Sequence, residues 1–239
     1  MSTDEPDPRT GQPVGPAVDA SPAARPGAVV LKGRFGRIEK LDPAKHGRDL
    51  WDAVEGHDHI WTYMSAYGPF TDSAAFQQWA DVRAQLEDPY SYAVVNAGRA
   101  VGIATLMEIR PAMRAIEVGH IVYSPALQRT ALATEAQYLL ARYAFETLGY
   151  RRYEWKCNAL NAASRRAALR FGFTFEGILR QHMIAKGRNR DTAWYSMLDS
   201  EWPARKAAFE RWLAPDNFDA DGHQKTPLSA LGEFAGGTR

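Results

Sequence analysis

The sequence predicts an α+β fold in which helices flank a mostly antiparallel, mixed central sheet. Three observations support this prediction. The spacing of apolar residues alternates along the chain between the period of a helix and the period of a strand. Strand-like segments between residues 92 and 123 follow one another through short turns, which is typical of antiparallel pairing. A strand, a long helix and another strand then follow between residues 115 and 157, which places helices around the sheet.

The first predicted elements are a strand and two capped helices. The run from Arg37 to Leu41 has a strand-like pattern. Asp42 then caps a helix whose first turn contains Pro43, where proline gives up only an amide that has no intrahelical partner. After an aromatic loop, Thr71 or Asp72 caps the second helix.

The central elements are a hairpin, a further strand and a long helix. Residues 92–95 and 101–109 flank a turn with the sequence Asn-Ala-Gly-Arg. Ala115 to Tyr123 forms the next predicted strand. A helix is predicted from Arg129 to Leu148, with an apolar stripe along one face and Gly149 as its stop signal.

The last elements are predicted in the order strand, helix, hairpin and helix. Residues 152–157 form the strand, and residues 162–171 form a helix that ends at a glycine. Residues 173–183 and 192–199 form a hairpin around the sequence Lys-Gly-Arg-Asn, and residues 202–213 form an added helix.

The domain organisation follows from composition along the chain. With 239 residues, of which 45% are hydrophobic, the chain is long enough for one sizeable domain. Residues 1–28 are rich in Pro, Asp, Ala and Gly and are predicted to be a disordered tail without a secretory signal. Residues 29–200 form the predicted domain, and residues 201–239 form a C-terminal helix and tail.

Composition also restricts the function. Lys and Arg number 29 against 28 Asp and Glu, and this balance gives no reason to expect nucleic acid or an anionic membrane as a partner. No apolar segment approaches the roughly 20 residues that a membrane span needs. Cys157 is the single cysteine, so an internal disulfide is excluded and a cytoplasmic location is expected.

Two motifs point to a cofactor site. The first runs from Val118 to Thr134 with the sequence VGHIVYSPALQRTALAT. The second is Asn161-Ala-Ala-Ser164, followed by Phe171-Gly-Phe173. In this order and separation the motifs resemble the two acetyl-CoA motifs of the GNAT acetyltransferase superfamily. The resemblance implies the GNAT fold and an N-acetyltransferase with acetyl-CoA as cosubstrate.

The RimJ/RimL-like branch of that superfamily is the most similar. Residues 61–70 and 190–195 also resemble this branch, and the whole resemblance covers residues 34–200. It implies that the acceptor is a primary amine, either a protein N-terminus or a small molecule. Residues 29–200 are accordingly expected to be a GNAT acetyltransferase domain.

The start of the long helix is the expected site of the cofactor's pyrophosphate. A helix N-terminus leaves about four backbone N–H groups unpaired, and the helix dipole favours negative charge there. In this superfamily the preceding strand also bears the thioester. The expected cofactor-binding residues of the first motif are Val122, Tyr123, Gln128, Arg129, Thr130, Ala131, Leu132, Ala133 and Thr134. An ordinary capped helix is the alternative interpretation.

The first motif departs from the family pattern at two positions. Ala131 and Ala133 stand where the family usually has Gly and then Gly or Ala. Glycine lets the backbone approach the phosphates with no Cβ in the way. Because alanine is the smallest alternative and a better helix former, we expect a variant cradle that still binds.

The second motif is expected to contact the pantetheine arm of the cofactor. Asn161 and Ser164 start a helix, where their side chains either cap free backbone groups or reach the ligand. Asn158 is a further polar candidate at the end of the preceding strand.

Acetyl transfer needs a neutral amine, so a base or a water path must accept the amine's proton. Glu117 is the first candidate base, because it interrupts an otherwise apolar strand; a solvent-facing or salt-bridged glutamate is the alternative interpretation. His120 is the second, because its ordinary pKa suits proton transfer. Strand alternation puts these two on opposite faces unless a bulge intervenes. A backbone N–H near Val122 or Tyr123 is the expected donor to the developing oxyanion.

The acid that protonates the departing thiolate is less defined. Many superfamily members carry a tyrosine seven residues after the Asn of the second motif, and Ala168 stands there in this chain. Ser124, Tyr123 or a water remains as the proton source. Cys157 as a covalent acetyl carrier is the alternative, although a lone cysteine on an apolar strand is typical of a small buried residue.

An aromatic loop is predicted to line the acceptor pocket, where rings would hold an amine by stacking and cation–π contacts. Its candidate residues are Trp61, Tyr63, Tyr67 and Phe70. The alternative is that these rings only pack the two helices together. The nearby sequence His57-Asp-His59 has no third ligand at motif spacing, so no metal is expected.

Two other functions stay open, and the chain is expected to be a monomer or a homodimer. A catalytically silent CoA-binding sensor protein would fit the missing tyrosine and glycines. A nucleic-acid module is suggested by the arginines between residues 151 and 190, but the near-neutral net charge argues against it.

Overall fold

A computed structural model of the protein describes residues 4–232. Its main feature is a mixed eight-stranded sheet with helices on both faces, so the predicted α+β class is confirmed. Within this described range, no helix is both long and apolar enough to cross a membrane.

The helices and strands follow the predicted order. The first part of the chain contains β1 (Glu5–Pro6), β2 (Pro13–Val14), β3 (Val30–Lys32), β4 (Arg37–Lys40), α1 (Pro43–Val54), α2 (Ser73–Gln85), β5 (Tyr90–Asn96), β6 (Arg99–Arg110) and β7 (Ala115–Tyr123). The second part contains α3 (Ala131–Arg142), β8 (Arg152–Asn158), α4 (Ala162–Arg170), β9 (Thr174–Ala185), β10 (Arg188–Leu198) and α5 (Trp202–Leu213).

Aspartate side chains cap the first two helices. Asp42 Oδ1 accepts a hydrogen bond from the Ala44 N–H at 3.1 Å, and Asp72 Oδ1 accepts one from the Ala75 N–H at 2.8 Å. Each bond satisfies one of the N–H groups that a helix start leaves free. Asp72, rather than Thr71, is therefore the cap of α2.

Helix α3 is shorter than the prediction of Arg129 to Leu148. Thr130 Oγ1 accepts a hydrogen bond from the Ala133 N–H at 3.1 Å and caps the helix. Arg129 has a positive φ of 62°, which a helix does not allow, so the predicted start is two residues early. At the other end, residues 143–147 form a wider π-helical turn.

The strand order of the main sheet is β3-β4-β5-β6-β7-β8-β10-β9. Neighbouring strands are antiparallel except β7 and β8, which are parallel. Since α3 connects these two strands, the single parallel pair is the strand-helix-strand unit that the sequence predicts. Strands β1 and β2 form a separate two-stranded sheet.

The two faces of the sheet carry separate hydrophobic cores. Tyr92 and Val94 of β5 belong to the core that contains α3 and α5, whereas Ala93 and Val95 belong to the core that contains α1 and α2. Alternate residues of a strand point to opposite faces, so the helices cover both sides of the sheet.

Part of the segment predicted to be a disordered tail packs against the domain. The Ala24 N–H donates to Leu148 O at 2.8 Å. The Gly27 N–H donates to the Tyr143 hydroxyl at 3.1 Å, and the Tyr92 hydroxyl donates to Gly27 O at 3.0 Å. The boundary of the domain at residue 29 stays a prediction, and residues 1–3 of this tail lie outside the described residues.

The added C-terminal helix occurs at the predicted residues, as α5, and the chain after it also packs on the domain. Phe218 contacts the Trp212 ring at a centroid distance of 5.3 Å, and the Leu228 side chain is fully buried. Asn217 Nδ2 donates to Trp212 O at 2.9 Å. Residues 233–239 of the predicted C-terminal tail lie outside the described residues.

Candidate active site

Strands β7 and β8 separate from each other and form the walls of a cleft. Their parallel ladder runs only from Ala115 opposite Arg152 to Glu117 opposite Glu154. Beyond Glu117, β7 stays paired with β6 and β8 stays paired with β10. The backbone groups of both strands that face the gap therefore have no strand partner, and an extended ligand fits between them.

The cleft has a volume of about 1690 Å³. We call one side, lined by the first turns of α3 and α4, the helix side. The opposite lining, called here the loop side, consists of residues from 59 to 65 and of the hairpin formed by β9 and β10. Strands β7 and β8 line the cleft between these two sides.

The start of α3 presents free backbone donors to the helix side. In the described part of the chain, the N–H groups of Arg129, Ala131 and Leu132 have no hydrogen-bond partner. These groups carry the partial positive charge of the helix N-terminus. They are thus available to an anionic ligand, as the first motif predicts.

The two alanines of the first motif fit the cradle without backbone strain. Ala131 and Ala133 lie within α3 and line the cleft, and neither has a positive φ. Arg129 takes the left-handed conformation instead. The side chain of Leu132 is buried in the core, and this residue is not among those that line the cleft.

Cationic side chains surround this start of α3. Arg129, Arg166 and Arg170 all line the cleft. Arg170 Nη1 donates to Thr134 Oγ1 at 3.0 Å, which explains the position of the Thr134 hydroxyl, and its guanidinium lies 5.2 Å from the Trp212 ring centroid. The helix side therefore has the charge expected of a site for phosphates.

The predicted residues at the start of α4 are caps and cleft residues at once. Asn161 Oδ1 accepts from the Ser164 N–H at 3.0 Å, and Ser164 Oγ accepts from Trp155 Nε1 at 3.0 Å. Asn158 Oδ1 accepts from the Leu160 N–H at 2.9 Å. All three side chains line the cleft, so the capping interpretation and the ligand interpretation are compatible.

Glu117 lies where β7 and β8 separate, and its carboxylate lines the cleft. The residue is 5% exposed, and Oε2 lies 2.9 Å from Lys156 Nζ. Burial disfavours the charged carboxylate and raises the pKa of Glu117 to about 7, although the charge of Lys156 opposes this shift. A carboxyl group with this pKa exchanges protons readily at neutral pH.

A β-bulge in β7 brings His120 to the same cleft as Glu117. His120 and Ile121 lie opposite the single residue Ala104 of β6, and His120 has a φ of 46°. The extra residue reverses the alternation of the strand beyond this point. Glu117 and His120 therefore both line the cleft, which alternation in a regular strand would not allow.

The contacts of His120 contradict its predicted role as a base. Its Nδ1 lies 2.6 Å from Arg83 Nη2, and a guanidinium only donates hydrogen bonds. Nδ1 therefore accepts, and the neutral ring carries its proton on Nε2. Burial, with Arg83 and Arg190 nearby, lowers the pKa of His120 to about 4. His120 is consequently a hydrogen-bond donor at neutral pH.

Ser124 does not line the cleft and is not placed to protonate a thiolate. It is fully buried, and its Oγ accepts a hydrogen bond from the Leu127 N–H at 3.3 Å. This contact stabilises the turn between β7 and α3. Ala168, at the position of the family tyrosine, is likewise fully buried.

Val122 and Tyr123 line the cleft beside Gln128. Gln128 Nε2 donates to Tyr123 O at 2.9 Å, which fixes the loop, and the Tyr123 hydroxyl accepts from Gln137 Nε2 at 2.7 Å. The phenolic proton of Tyr123 is thus free to be donated. Burial raises the pKa of Tyr123 and keeps it protonated.

Cys157 lines the cleft, but its surroundings disfavour covalent chemistry. The residue is 6% exposed, and burial raises the pKa of its thiol. Since the thiolate is the nucleophilic form, this environment argues against a covalent acetyl carrier.

Only one of the four predicted acceptor-binding aromatics lines the cleft. Tyr63 does so, and its hydroxyl donates to Leu160 O at 3.2 Å. Trp61, Tyr67 and Phe70 pack against one another and against α1 and α2, with Trp61 to Phe70 ring centroids 5.2 Å apart. The structure thus places these three rings in the packing between the helices, which is the alternative interpretation, with Trp61 buried and Tyr67 and Phe70 partly buried.

The tip of the β9–β10 hairpin holds the aromatic loop in place. Lys186 Nζ donates to Trp61 O at 2.9 Å and to Gly68 O at 2.6 Å. Arg190 Nη1 donates to Ser65 Oγ at 2.8 Å. These bonds bring together segments more than a hundred residues apart and complete the loop side of the cleft.

Three further residues at the cleft or in contact with its lining were not predicted as site residues, and two of them left a signal in the sequence. Lys156 alternates with Arg152 and Glu154 on a strand whose other face carries Tyr153, Trp155 and Cys157, so it continues a row of charged residues. Arg190 opens a segment that resembles the RimJ/RimL-like branch, yet it was not assigned a role. Arg83 has no sequence signal of this kind, because only the tertiary structure places it against His120.

Comparison with known proteins identifies a common family. Residues 40–174 match the family model described as the acetyltransferase (GNAT) domain. A solved GCN5-related N-acetyltransferase from Brucella melitensis is 46% identical, with a TM-score of 0.86 over 88% of this chain and 97% of that chain. A probable acetyltransferase of the GNAT family from Chromobacterium violaceum is 43% identical, with a TM-score of 0.75 over 81% of this chain and all of that chain (100%).

Curated relatives match over shorter segments. The Bacillus subtilis protein YdaF, named as a ribosomal N-acetyltransferase, is 29% identical over 109 residues, which are 46% of this chain and 59% of the relative. The N-acetyltransferase YoaA of the same species is 35% identical over 85 residues, 36% of this chain and 48% of the relative. The chain thus spans about half the length of these two relatives.

Proposed function

Because this chain belongs to the GNAT acetyltransferase family, we propose that it transfers an acetyl group from acetyl-CoA directly to a primary amine. The observation that carries this proposal is the position of Glu117. Its buried carboxyl group lies where β7 and β8 separate, in the same cleft as the free N–H groups at the start of α3. One cleft thus combines a phosphate cradle with a base.

The residues of the helix side suit the cosubstrate. The free N–H groups of Arg129, Ala131 and Leu132, with the nearby cations Arg166 and Arg170, would hold the pyrophosphate. Asn158, Asn161 and Ser164 would contact the pantetheine arm from the start of α4. Acetyl-CoA supplies the activated acetyl group at its thioester.

Glu117 is proposed to accept the proton of the amine. An amine acceptor is mostly protonated at neutral pH, whereas only the neutral amine is a nucleophile. The raised pKa of Glu117, about 7, matches the working pH of such a base. No acetylated side chain is needed, because the amine attacks the thioester directly.

Two further groups complete the proposed mechanism. Backbone N–H groups of β7 beyond Glu117, near Val122 and Tyr123, face the gap and would donate to the oxygen that gains negative charge. The Tyr123 hydroxyl, which accepts from Gln137 and keeps its proton, is the proposed donor to the departing thiolate. The acceptor remains a primary amine of a protein N-terminus or small molecule, and we propose a cytoplasmic monomer or homodimer.

Calorimetric titration of acetyl-CoA into the wild type and the Ala131→Glu variant tests the cradle. A carboxylate in the first turn of α3 favours the helix but repels phosphate. We expect the variant to stay folded and to bind acetyl-CoA at least about tenfold more weakly, since like charges in a binding site cost several kcal/mol. Ala44→Glu is the matched control, because it adds the same charge to the first turn of α1, outside the cleft.

The outcomes separate the proposed function from its alternative. If acetyl-CoA does not bind the wild type, the acetyltransferase proposal fails. If acetyl-CoA binds but no amine in a broad panel releases free thiol, the chain is a CoA-binding sensor protein instead. Release of free thiol with any amine excludes the sensor.

A further inference from the structure

Two arginine side chains lack a carboxylate partner within residues 4–232: Arg190, which lines the loop side of the cleft, and Arg83 of α2, which contacts the cleft residue His120. Arg83 contacts His120, and Arg190 contacts Ser65, but neither forms an ion pair. Lys156, the third cation of this region, is paired with Glu117. The loop side therefore has an excess of positive charge in a partly buried place.

Arg190 is the cation that lines the cleft directly. Its Nη1 donates to Ser65 Oγ, whereas its Nε is buried and has no partner among the described residues. Burial lowers the pKa of Arg190, although the nearby charge of Glu117 opposes this shift. A guanidinium has five N–H donors in a planar fork, so most of them are unused here.

Arg83 acts on the cleft through His120. Arg83 is 8% exposed, and its bond to Nδ1 leaves the Nε2–H of His120 as a donor in the cleft. The hydroxyl of Tyr67, whose ring lies 5.5 Å from that of His120, is buried and has no partner in the described part of the chain. Tyr67 is not among the residues that line the cleft, so the unused donors that meet there are those of Arg190 and His120.

An anionic group on the ligand would satisfy these donors. Arg190 is partly buried, where an unpaired charge is destabilising, and Glu117, a carboxylate of the cleft whose charge acts on Arg190, is engaged with Lys156. Glu108 also lines the cleft, but its side chain is exposed to solvent. Carboxylate and phosphate oxygens match the guanidinium fork, and hydrogen bonds to charged groups are the strong ones.

We propose that the amine acceptor of this enzyme carries an oxyanion, a carboxylate or a phosphate, which Arg190 and the Nε2–H of His120 bind while the amine lies at Glu117. The proposal rests on the proposed acetyltransferase function and names the substrate class for the same cleft. Arg83 positions His120 as a donor and does not contact the substrate itself.

Matched pairs of amines test this proposal with the full-length protein and acetyl-CoA. Phenylalanine against phenethylamine tests a carboxylate, and O-phosphoethanolamine against ethanolamine tests a phosphate. The measured quantity is the ratio of kcat/KM for the anionic amine to kcat/KM for its neutral partner. The release of free thiol reports the turnover. We expect the wild-type ratio to exceed one in at least one pair.

The Arg190→Gln variant is expected to lower that ratio by about tenfold to a hundredfold, the equivalent of one charged hydrogen-bonded contact. Arg190→Lys keeps the charge but loses the fork, so its ratio should fall in between. Arg48→Gln is the control, because Arg48 is exposed and paired with Asp52 on α1, and it should keep the wild-type ratio. A wild-type ratio at or below one in both pairs, or a ratio that Arg190→Gln leaves unchanged, overturns the proposal.

A binding measurement keeps this test separate from the proposed function. If acetyl-CoA binds but no amine is acetylated, calorimetry with the anionic amines in the presence of CoA still decides. If the anionic amines bind and the Arg190→Gln variant binds them more weakly, the anion site is supported even though the acetyltransferase proposal has failed. If the anionic amines do not bind, the anion site is overturned. Equal turnover of anionic and neutral amines leaves the acetyltransferase proposal intact and removes only this inference.

Discussion

Glu117 Oε2 lies 2.9 Å from Lys156 Nζ, at the point where the two parallel strands of the sheet separate. Lys156 also lies 3.7 Å from Glu154 Oε2 and 4.0 Å from the centroid of the Trp194 ring. These contacts fix the lysine beside the proposed base. Its charge stabilises the carboxylate of Glu117 while burial opposes that charge, and together they set a pKa of about 7.

We predict that Glu117→Gln lowers kcat by about a hundredfold to ten-thousandfold, the usual contribution of a general base. The glutamine side chain cannot accept the amine's proton, although its shape is nearly the same as that of glutamate. In the wild type, kcat/KM should rise with pH through an acid limb near pH 7, because Glu117 must lose its proton first. Steady-state kinetics between pH 5.5 and about 9 check both effects.

Acetyl-CoA binding by the same variant provides the control for this experiment. Since Glu117 lies away from the phosphate cradle, calorimetry should show nearly unchanged affinity. A variant that keeps the acid limb and most of its kcat would remove Glu117 from the mechanism.

We predict that Lys156→Met moves the acid limb of kcat/KM to higher pH. The lysine charge lowers the pKa of Glu117, so removal of that charge leaves burial unopposed and the carboxyl group holds its proton longer. Activity should fall at neutral pH and recover at high pH. Lys206→Met is the matched control, because it removes an ion pair between Lys206 of α5 and Glu146, and it should leave the profile in place. An unshifted limb would show that the lysine does not act on the base.

We predict that His120 makes the protein less stable as pH falls from about 6.5 to about 4. The folded pKa of His120 is about 4 against 6.5 for the free group, so the unfolded chain binds more protons in this window. The stability that depends on neutral His120 is fully present above pH 6.5. As pH falls toward 4, the free energy of unfolding decreases by up to about 3 kcal/mol for this reason. Urea unfolding at a series of pH values measures it.

The His120→Asn variant isolates this contribution. Asparagine Oδ1 can still accept from Arg83, but it does not titrate. The free energy of unfolding of the variant should fall less steeply between pH 6.5 and 4, whereas titration of Glu117 is common to both proteins. Equal slopes in the two proteins would mean that His120 takes up its proton in the folded state.

We predict that Gly119→Ala lowers kcat by on the order of a hundredfold, as small displacements of reacting groups do. A Cβ at this position would lie 2.6 Å from Met107 Sδ and 3.0 Å from Glu117 Oε1, so Met107 must move and the carboxyl group must give by a few tenths of an ångström. Adding Met107→Ala should restore part of the activity, because it removes the closer contact. Gly27→Ala is the control, since nothing lies within 4 Å of its added Cβ. Full activity of Gly119→Ala would show that the position of the carboxyl group is not critical.

Most of the fold could be predicted because its signals are local. The helix α5 and the strand β7 occur at the predicted residues, and Asp42 caps α1 as expected. Periodicity, capping side chains and stop residues each depend on a few neighbouring positions. The shortened start of α3 was missed because the left-handed conformation of Arg129 has no signature in the sequence.

The sequence by itself determined the α+β class and the order of the elements, because these follow from residue types at short spacing; the cofactor motif came from the family resemblance, and Glu117 stays a proposed base. Only the tertiary structure decided the role of His120, which depends on a bulge in β7 and on Arg83, 37 residues away. It also moved Trp61, Tyr67 and Phe70 into a core and placed Arg190 in the cleft. The physical reason is that burial and pairing of a side chain are set by contacts between distant segments, and a local pattern does not encode those contacts.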